Sequence, residues 1–245
     1  MRLSTATPAW TIAMIGVGVC LLIGQAAPTS QPAMSRQTTT APADRWEADI
    51  AAFESYDRKT SPPRDAILFT GSSTIVLWPT ARSFSDRVVL NRGFGGSQYS
   101  DLVRYYGRII RPYKPRAIVL YSGDNDVAEG RTPAEIHAAF CELMRLIRAD
   151  CAEVPVVVVS IKPSRARWAL WPTMQQANAL IAKECGRDRN ATFVDIIAGL
   201  LAGDGEPRSE FFEEDQLHLN AQGYALLTQK LVPVLSAAEG KSPAR

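Results

Sequence analysis

Short apolar runs alternate with amphipathic segments along most of this chain. The runs are rich in Val, Ile and Leu and cover residues 66–70, 88–90, 117–121, 155–160 and 191–195. Runs of this length and composition are typical of strands that are buried on both faces of a parallel sheet. The pattern therefore predicts five parallel strands.

The segments between the runs have the periodicity of helices. Trp46, Ile50 and Phe53 mark an apolar stripe on a helix from about Arg45 to Asp57. Further apolar stripes predict four more helices. One begins near Gln98, one begins at the capping box Thr132-Pro133-Ala134-Glu135, one ends at Gly186 and one follows Asn220. Helices that alternate with parallel strands cover both faces of the sheet, so the expected class is α/β with three layers.

Three of the strands are followed by polar or glycine-rich loops. The loops are Gly71-Ser72-Ser73-Thr74, Gly93-Phe94-Gly95-Gly96 and Gly123-Asp124-Asn125-Asp126. Ligands of parallel α/β sheets bind beyond the carboxyl ends of the strands, where these loops lie. The loops therefore offer a candidate nucleophile in Ser73 and two candidate oxyanion donors, the Gly96 amide and the Asn125 carboxamide.

A base for such a nucleophile is easy to assign, because the chain has two histidines. His137 follows the start of an amphipathic helix, where a solvated or half-packed side chain is expected. His218 stands three residues after Asp215 in a polar segment. A serine hydrolase needs an imidazole to accept the hydroxyl proton and a carboxylate to orient that imidazole, and Asp215 and His218 supply both.

In their order and spacing these segments resemble the SGNH hydrolases, the GDSL-like esterase and acylhydrolase family, over about residues 45–236. The resemblance implies the flavodoxin-like three-layer α/β/α sandwich of that family, with a five-stranded parallel sheet. It also implies a catalytic triad of Ser73, His218 and Asp215, and an oxyanion hole formed by the Ser73 and Gly96 amides and the Asn125 side chain. Neither a metal nor an organic cofactor is expected.

One departure from the family concerns the nucleophile segment. Ser72 stands where the family has its name-giving aspartate, so two serines are adjacent. Gly71 matches the glycine of the family's Gly-Asp-Ser segment, which favours Ser73 as the nucleophile. Ser72 is the alternative. A second departure, Leu219 in place of proline, affects the rigidity of the loop more than its chemistry.

The N-terminal region reads as a targeting segment. Residues 10–24 carry no charge and follow Arg2, but they are shorter than the roughly 20 residues of a spanning helix. We predict a signal peptide over residues 1–26, or an uncleaved anchor, then a disordered linker of Pro, Thr, Ser and Ala over 27–43. The hydrolase domain would cover 44–237 and a flexible tail 238–245. The chain is thus expected to be exported to the periplasm, the cell surface or the medium.

Charge and cysteine content exclude several other classes. The formal net charge is +2 with both signs interspersed, which argues against a nucleic-acid surface. Membrane contact is expected only if the N-terminal segment is retained. Beyond that segment the cysteines are Cys141, Cys151 and Cys185, without a Cys-x-x-Cys pair, so neither a disulfide framework nor a zinc site is indicated and at least one thiol should be free.

The substrate is less well defined by the sequence. Arg92, Arg167 and Trp168 are candidate contacts at the rim of the site and would suit a sugar face or an anionic group. The expected activity is hydrolysis of small-molecule or glycan esters with short acyl groups such as acetyl. Two alternatives remain: an acyltransferase that uses the same triad, and a non-catalytic surface protein that binds carbohydrate.

Overall fold

The computed structural model of the protein describes residues 45–240. The predicted signal peptide (1–26), the predicted linker (27–43) and most of the predicted tail lie outside the described residues. Those assignments, and export with them, stay predictions. Among the helices of the described range, none has the length and apolar character needed to cross a membrane.

A parallel sheet of five strands forms the centre of the domain, as predicted. The strands are β1 (Ile67–Gly71), β2 (Val89–Gly93), β3 (Ala117–Tyr121), β4 (Val156–Val159) and β5 (Ala191–Val194). Their order in the sheet is β2-β1-β3-β4-β5, with every neighbouring pair parallel. This is the flavodoxin-like order, so the predicted fold class is confirmed.

Helices cover the sheet. They are α1 (Glu47–Lys59), α2 (Ser73–Val76), α3 (Thr80–Ser83), α4 (Tyr99–Ile109), α5 (Asp124–Ala128), α6 (Pro133–Asp150), α7 (Trp171–Cys185), α8 (Ile197–Leu200) and α9 (Ala221–Glu239). Three short 3₁₀ helices lie at Arg111–Tyr113, Arg165–Leu170 and Ser209–Phe211. The capping box at the start of α6 is present, because the Thr132 hydroxyl accepts from the Glu135 amide while the Glu135 carboxylate accepts from the Thr132 amide.

Two apolar clusters lie on opposite faces of the sheet. Alternate strand residues point to opposite faces, so Leu68 and Leu120 belong to the cluster formed with α1, α4, α6 and α7. Phe69 and Val119 belong to the cluster formed with α2, α8 and α9. Full burial of one such side chain is worth about 1.5–3 kcal/mol, and these two clusters hold the carboxyl edge of the sheet in place.

The fold differs from the prediction in some details. β2 continues to Gly93, past its apolar residues, because residues 91–93 stay paired with β1 and the side chains of Asn91 and Arg92 find hydrogen-bond partners. The single-turn helices α2, α3, α5 and α8 were not predicted, because four or five residues are too few for a helical period to be visible. Cys141, Cys151 and Cys185 form no disulfide within the described range.

Candidate active site

Ser73 is the first residue of α2 and lies at the carboxyl end of β1. The turn that leads to it depends on Gly71, whose φ is +140°. A Cβ atom at Gly71 would lie 1.8 Å from the backbone oxygen of Tyr121 on the neighbouring strand, so no other residue fits. Ser72 is fully buried and donates its amide to the same oxygen at 3.0 Å, whereas Ser73 is partly exposed. Of the two adjacent serines, Ser73 is the accessible one.

His218 contacts Ser73 directly. Its Nε2 atom lies 3.1 Å from Ser73 Oγ, across 145 residues of sequence. On the other side of the ring, Nδ1 lies 2.6 Å from Asp215 Oδ2. With Nδ1 carrying a proton for Asp215, Nε2 can accept the proton of the serine hydroxyl. The three residues proposed from the sequence are therefore joined by two hydrogen bonds.

Asp215 is held in its ionised form by several donors. Its Oδ1 accepts from the amides of Leu217 and His218, each at 2.9 Å. The backbone hydrogen bond from His218 and the imidazole bond lower the pKa of Asp215 to about 2, against the opposing effect of partial burial. The carboxylate therefore stays charged near neutral pH, where it can orient and stabilise a protonated imidazole.

The loop that carries both residues is closed by backbone contacts. Phe212 and Leu219 form an antiparallel bridge, and the Glu213 amide donates to the His218 carbonyl at 2.8 Å. Gln216, between the two functional residues, takes a left-handed backbone conformation with φ of 53°. Asp215 and His218 are thus fixed within one small loop.

The candidate oxyanion donors follow neighbouring strands that end at the same level. Gly71, Gly93 and Tyr121 are register partners, so the loops with Ser73, Gly96 and Asn125 leave the sheet together. Within residues 45–240, neither the Ser73 nor the Gly96 amide donates to a protein acceptor. Gly96 has φ of +76°, a backbone conformation suited to glycine.

The Asn125 carboxamide is held at both ends. Its Nδ2 donates to the Ser97 carbonyl at 3.1 Å, and its Oδ1 accepts from Arg167 Nη2 at 3.0 Å. These two partners fix which end of the carboxamide is the nitrogen. Since Nδ2 carries two hydrogens and Ser97 uses one, the second can donate to a substrate oxygen.

A buried charge network lies behind Asn125. Lys162, of which 1% is exposed, places Nζ 3.0 Å from Asp124 Oδ2 and 3.2 Å from the Tyr121 hydroxyl. Arg167 Nη1 lies 3.4 Å from the same Asp124 oxygen. Burial raises the pKa of Asp124, but the two cations outweigh it and the pKa is lowered. No sequence pattern predicts this network; its one signal is a lysine two residues after the apolar run 155–160.

Arg92 is buried in β2, whereas the sequence predicts it at the exposed rim of the site. Its side chain is buried and donates to Asp57, to the Tyr113 hydroxyl at 2.8 Å and to the Asn91 carbonyl at 2.9 Å. All three of its nitrogens thus bind protein groups, and the residue is only 5% exposed, so the guanidinium is not presented to a substrate. The proposed substrate contact of Arg92 is wrong on this geometry.

The segment with Arg167 and Trp168 does lie beside the triad loop. The Ala166 amide donates to the Gln216 carbonyl at 3.2 Å. Trp168 is partly exposed and stacks on Trp171, with ring centroids 6.0 Å apart and 13° between the planes. A substrate contact by Trp168 stays a prediction.

Comparisons with known proteins agree with this architecture. Residues 78–226 match the model of the GDSL-like Lipase/Acylhydrolase family. The matched range includes Gly96, Asn125, Asp215 and His218 and begins after Ser73, so the family match does not itself cover the nucleophile segment. No curated protein matches the chain significantly.

Several solved structures share the fold. One is a protein from Streptococcus pneumonia that is named after platelet activating factor, with 22% identity and a TM-score of 0.69 over 77% of this chain and 92% of that one. A GDSL-like lipase from Bacteroides thetaiotaomicron has 17% identity and a TM-score of 0.66 over 78% and 98%. A mutant of Axe2, an acetyl-xylooligosaccharide esterase from Geobacillus Stearmophilus, has 16% identity and a TM-score of 0.57 over 74% and 96%.

Proposed function

The chain belongs to the GDSL-like lipase/acylhydrolase family and is a hydrolase of that esterase class, and we propose that it cleaves carboxylic esters with Ser73 as its nucleophile. The observation that carries the proposal is the pair of hydrogen bonds from Ser73 Oγ through the His218 ring to Asp215, at 3.1 and 2.6 Å. Such a chain of groups is what nucleophilic attack by a serine requires.

The first half of the reaction forms an acyl-enzyme. Ser73 Oγ attacks the ester carbonyl while His218 Nε2 takes the hydroxyl proton, and Asp215 stabilises the resulting imidazolium. The carbonyl oxygen becomes an oxyanion that accepts hydrogen bonds from the Ser73 and Gly96 amides and from Asn125 Nδ2. The intermediate then collapses, and the alcohol leaves with the proton from His218.

The second half releases the acid. His218, now neutral, takes a proton from water as the water oxygen attacks the acyl carbonyl on Ser73. The same donors stabilise the second oxyanion, and Ser73 Oγ leaves with the proton from His218. Each oxyanion donor is expected to contribute roughly 10²–10³ in rate.

We assign Arg167 a positioning role in place of the substrate contact that the sequence suggested. Its guanidinium donates to Asn125 Oδ1 at 3.0 Å and lies 3.4 Å from Asp124. The bond to Asn125 holds Oδ1 away from the reacting oxygen, so that Nδ2 remains the group that can donate. Arg167 would then act through Asn125.

Short acyl groups, acetyl among them, are the proposed substrates. Support comes from the architecture shared with an acetyl-xylooligosaccharide esterase and from a sequence without an extended apolar lid segment. Partly exposed Trp168, stacked beside the triad loop, offers a flat face for a sugar ring.

The test is hydrolysis of p-nitrophenyl acetate, butyrate and octanoate by the full chain and by Ser73→Ala and Ser72→Ala variants. We expect turnover to be highest with acetate, to be abolished in Ser73→Ala and to persist in Ser72→Ala. Loss of turnover in Ser72→Ala alone would refute the assignment of Ser73 as the nucleophile. Addition of an alcohol acceptor separates the two enzyme classes, since an acyltransferase would form mostly the new ester while a hydrolase forms mostly acid.

Export is a further part of the proposal. Its support is the uncharged segment 10–24 with small residues at Gly24 and Ala26. Fractionation of producing cells, with mass spectrometry of the N-terminus, is the test. A mature chain that begins near residue 27 outside the cytoplasm is expected, and an intact N-terminus in the cytoplasm would contradict export.

A further inference from the structure

His137, the histidine outside the triad, lies with two other metal-ligating side chains where α6 packs against α7. Its Nε2 atom is 3.4 Å from Cys141 Sγ, one helical turn further along α6. The same Nε2 is 3.7 Å from Glu184 Oε2 on α7. One ligand atom from each of the three residues lies within 4.8 Å of the other two.

These separations are close to those of a tetrahedral metal site. Zinc bonds of about 2.0–2.3 Å to nitrogen, oxygen and sulfur place neighbouring ligand atoms roughly 3.3–3.7 Å apart. The pairs His137–Cys141 and His137–Glu184, at 3.4 and 3.7 Å, meet this spacing as they stand. The Cys141 and Glu184 atoms lie within 4.8 Å of each other, and a bound ion would draw them together. The side chains of His137 and Glu184 are 28% and 30% exposed, so an ion can reach them from solvent.

We propose that His137, Cys141 and Glu184 bind a divalent transition-metal ion of the zinc type. Imidazole, thiolate and carboxylate are all zinc ligands, and three of them leave the fourth position open to water. Binding converts the Cys141 thiol to a thiolate and releases one proton, so that two negative ligands and one neutral ligand surround the 2+ ion. Because the ligands come from two helices, the ion ties α6 to α7.

A neighbouring arginine competes with the ion. Arg187 Nη1 lies 2.7 Å from Glu184 Oε2, the oxygen that faces His137. A metal must displace this guanidinium from that oxygen or share the carboxylate with it. Removal of the arginine should therefore tighten metal binding, which gives a test in the direction opposite to that of the ligand variants.

Cobalt is a suitable probe, because thiolate-bound Co²⁺ absorbs in the near ultraviolet. We propose to strip the full chain with a chelator, titrate it with Co²⁺ and then displace the Co²⁺ with Zn²⁺. One equivalent should bind with a thiolate charge-transfer band that Cys141→Ser abolishes. The triad loop carries no sulfur, so Co²⁺ at Asp215 and His218 would not give this band.

Matched variants assign the remaining ligands. His137→Ala and Glu184→Gln should weaken Co²⁺ binding at least tenfold, whereas Cys151→Ser should leave it unchanged. Arg187→Gln should tighten it several-fold. Zn²⁺ at a hundredfold excess over its Kd should raise the Tm of the parent by roughly 5–10 °C and that of Cys141→Ser by much less.

Two results of the Co²⁺ titration would overturn the metal site. They are the absence of a thiolate band in the parent and a band that survives in Cys141→Ser. Glu184 loses its assigned role if neither Glu184→Gln nor Arg187→Gln changes the affinity. Circular dichroism of each variant before the titration separates loss of a ligand from loss of the fold, and Arg187→Gln retains all three ligands in any case.

Discussion

Replacement of Arg167 by methionine separates a positioning role from a substrate contact. Methionine keeps much of the side-chain length and removes the donors to Asn125 and Asp124. Asp124 keeps its buried partner Lys162 at 3.0 Å, so the carboxylate is still paired and the fold should persist. The Asn125 carboxamide keeps its bond to Ser97 but loses the bond that fixes its oxygen.

The expected loss of rate follows from the hydrogen bond that is removed. A hydrogen bond from a charged donor contributes about 1.5–3 kcal/mol. If that amount is lost only in the transition state, kcat falls roughly 10- to 100-fold, at about 1.4 kcal/mol for each factor of ten. Asn125→Ala removes the donor itself and should lower kcat by a factor of roughly 10²–10³.

The assay is steady-state hydrolysis of p-nitrophenyl acetate by four proteins: the parent, Arg167→Met, Asn125→Ala and the double variant. We expect kcat to fall in Arg167→Met with KM nearly unchanged. In the Asn125→Ala background the arginine has no carboxamide to orient, so Arg167→Met should have little further effect. Arg165→Met is the matched control, because Arg165 belongs to the same segment but pairs with Glu206 at the surface, and kcat should be unaffected.

Additive effects would refute this reasoning. If Arg167→Met lowers kcat by the same factor with and without Asn125, the arginine does not act through the carboxamide. A rise in KM with kcat preserved would instead show that Arg167 binds the substrate directly. The second result alone would return Arg167 to the substrate contact first suggested by the sequence.

Three further predictions concern the triad carboxylate of Asp215, the buried carboxyl group of Asp126 and the turn before Ser73. Asp215→Asn should lower kcat on the order of 10³–10⁴ at pH 7, because an amide no longer stabilises the imidazolium of His218; a loss below tenfold in steady-state assays would contradict its role. Burial raises the pKa of Asp126 to about 7. The folded state therefore holds this proton more tightly than the unfolded chain, and stability should fall by up to about 4 kcal/mol as the pH rises from about 4 to 7. Urea unfolding at pH 5 and 8 should show about 2.5 kcal/mol of this loss in the parent and not in Asp126→Asn, since about two pH units of the range lie above pH 5. An equal change in the free energy of unfolding of the two proteins would count against it. Gly71→Ala places a Cβ 1.8 Å from a β3 carbonyl oxygen and should destabilise by at least about 3 kcal/mol, seen as a lower Tm, whereas Gly95→Ala, with no atom within 4 Å, should not.

Much of the fold and the proximity of the site residues could be predicted because the relevant signals are local or topological. The five apolar runs identify the strands, and parallel strands bring their carboxyl ends to one edge. Asp215 and His218 are three residues apart, so their pairing needs no long-range information. The proximity of Ser73 to His218 then follows from the resemblance, and the 3.1 Å contact agrees with it.

The charged residues around the site could not be placed in the same way. Arg92 follows a short apolar run and reads as part of a loop, yet it lies in β2 and binds Asp57 and Tyr113 from other elements. Lys162 reads as an exposed residue after a strand, yet it is buried against Asp124. Whether a cation is buried depends on partners that are distant in sequence, and periodicity carries no information about them.

The bridge between Phe212 and Leu219 makes the acid and base of the triad a transferable unit. Because backbone bonds close this loop on itself, a graft of residues 212–219 should carry the Asp215 to His218 spacing into a related scaffold. The new scaffold would have to restore the 3.1 Å approach to Ser73, the Ala166 bond to Gln216 and an apolar pocket for the buried side chains of Phe212 and Leu219. An engineer could therefore exchange the rim segment for one of different selectivity while keeping the proton-transfer pair intact.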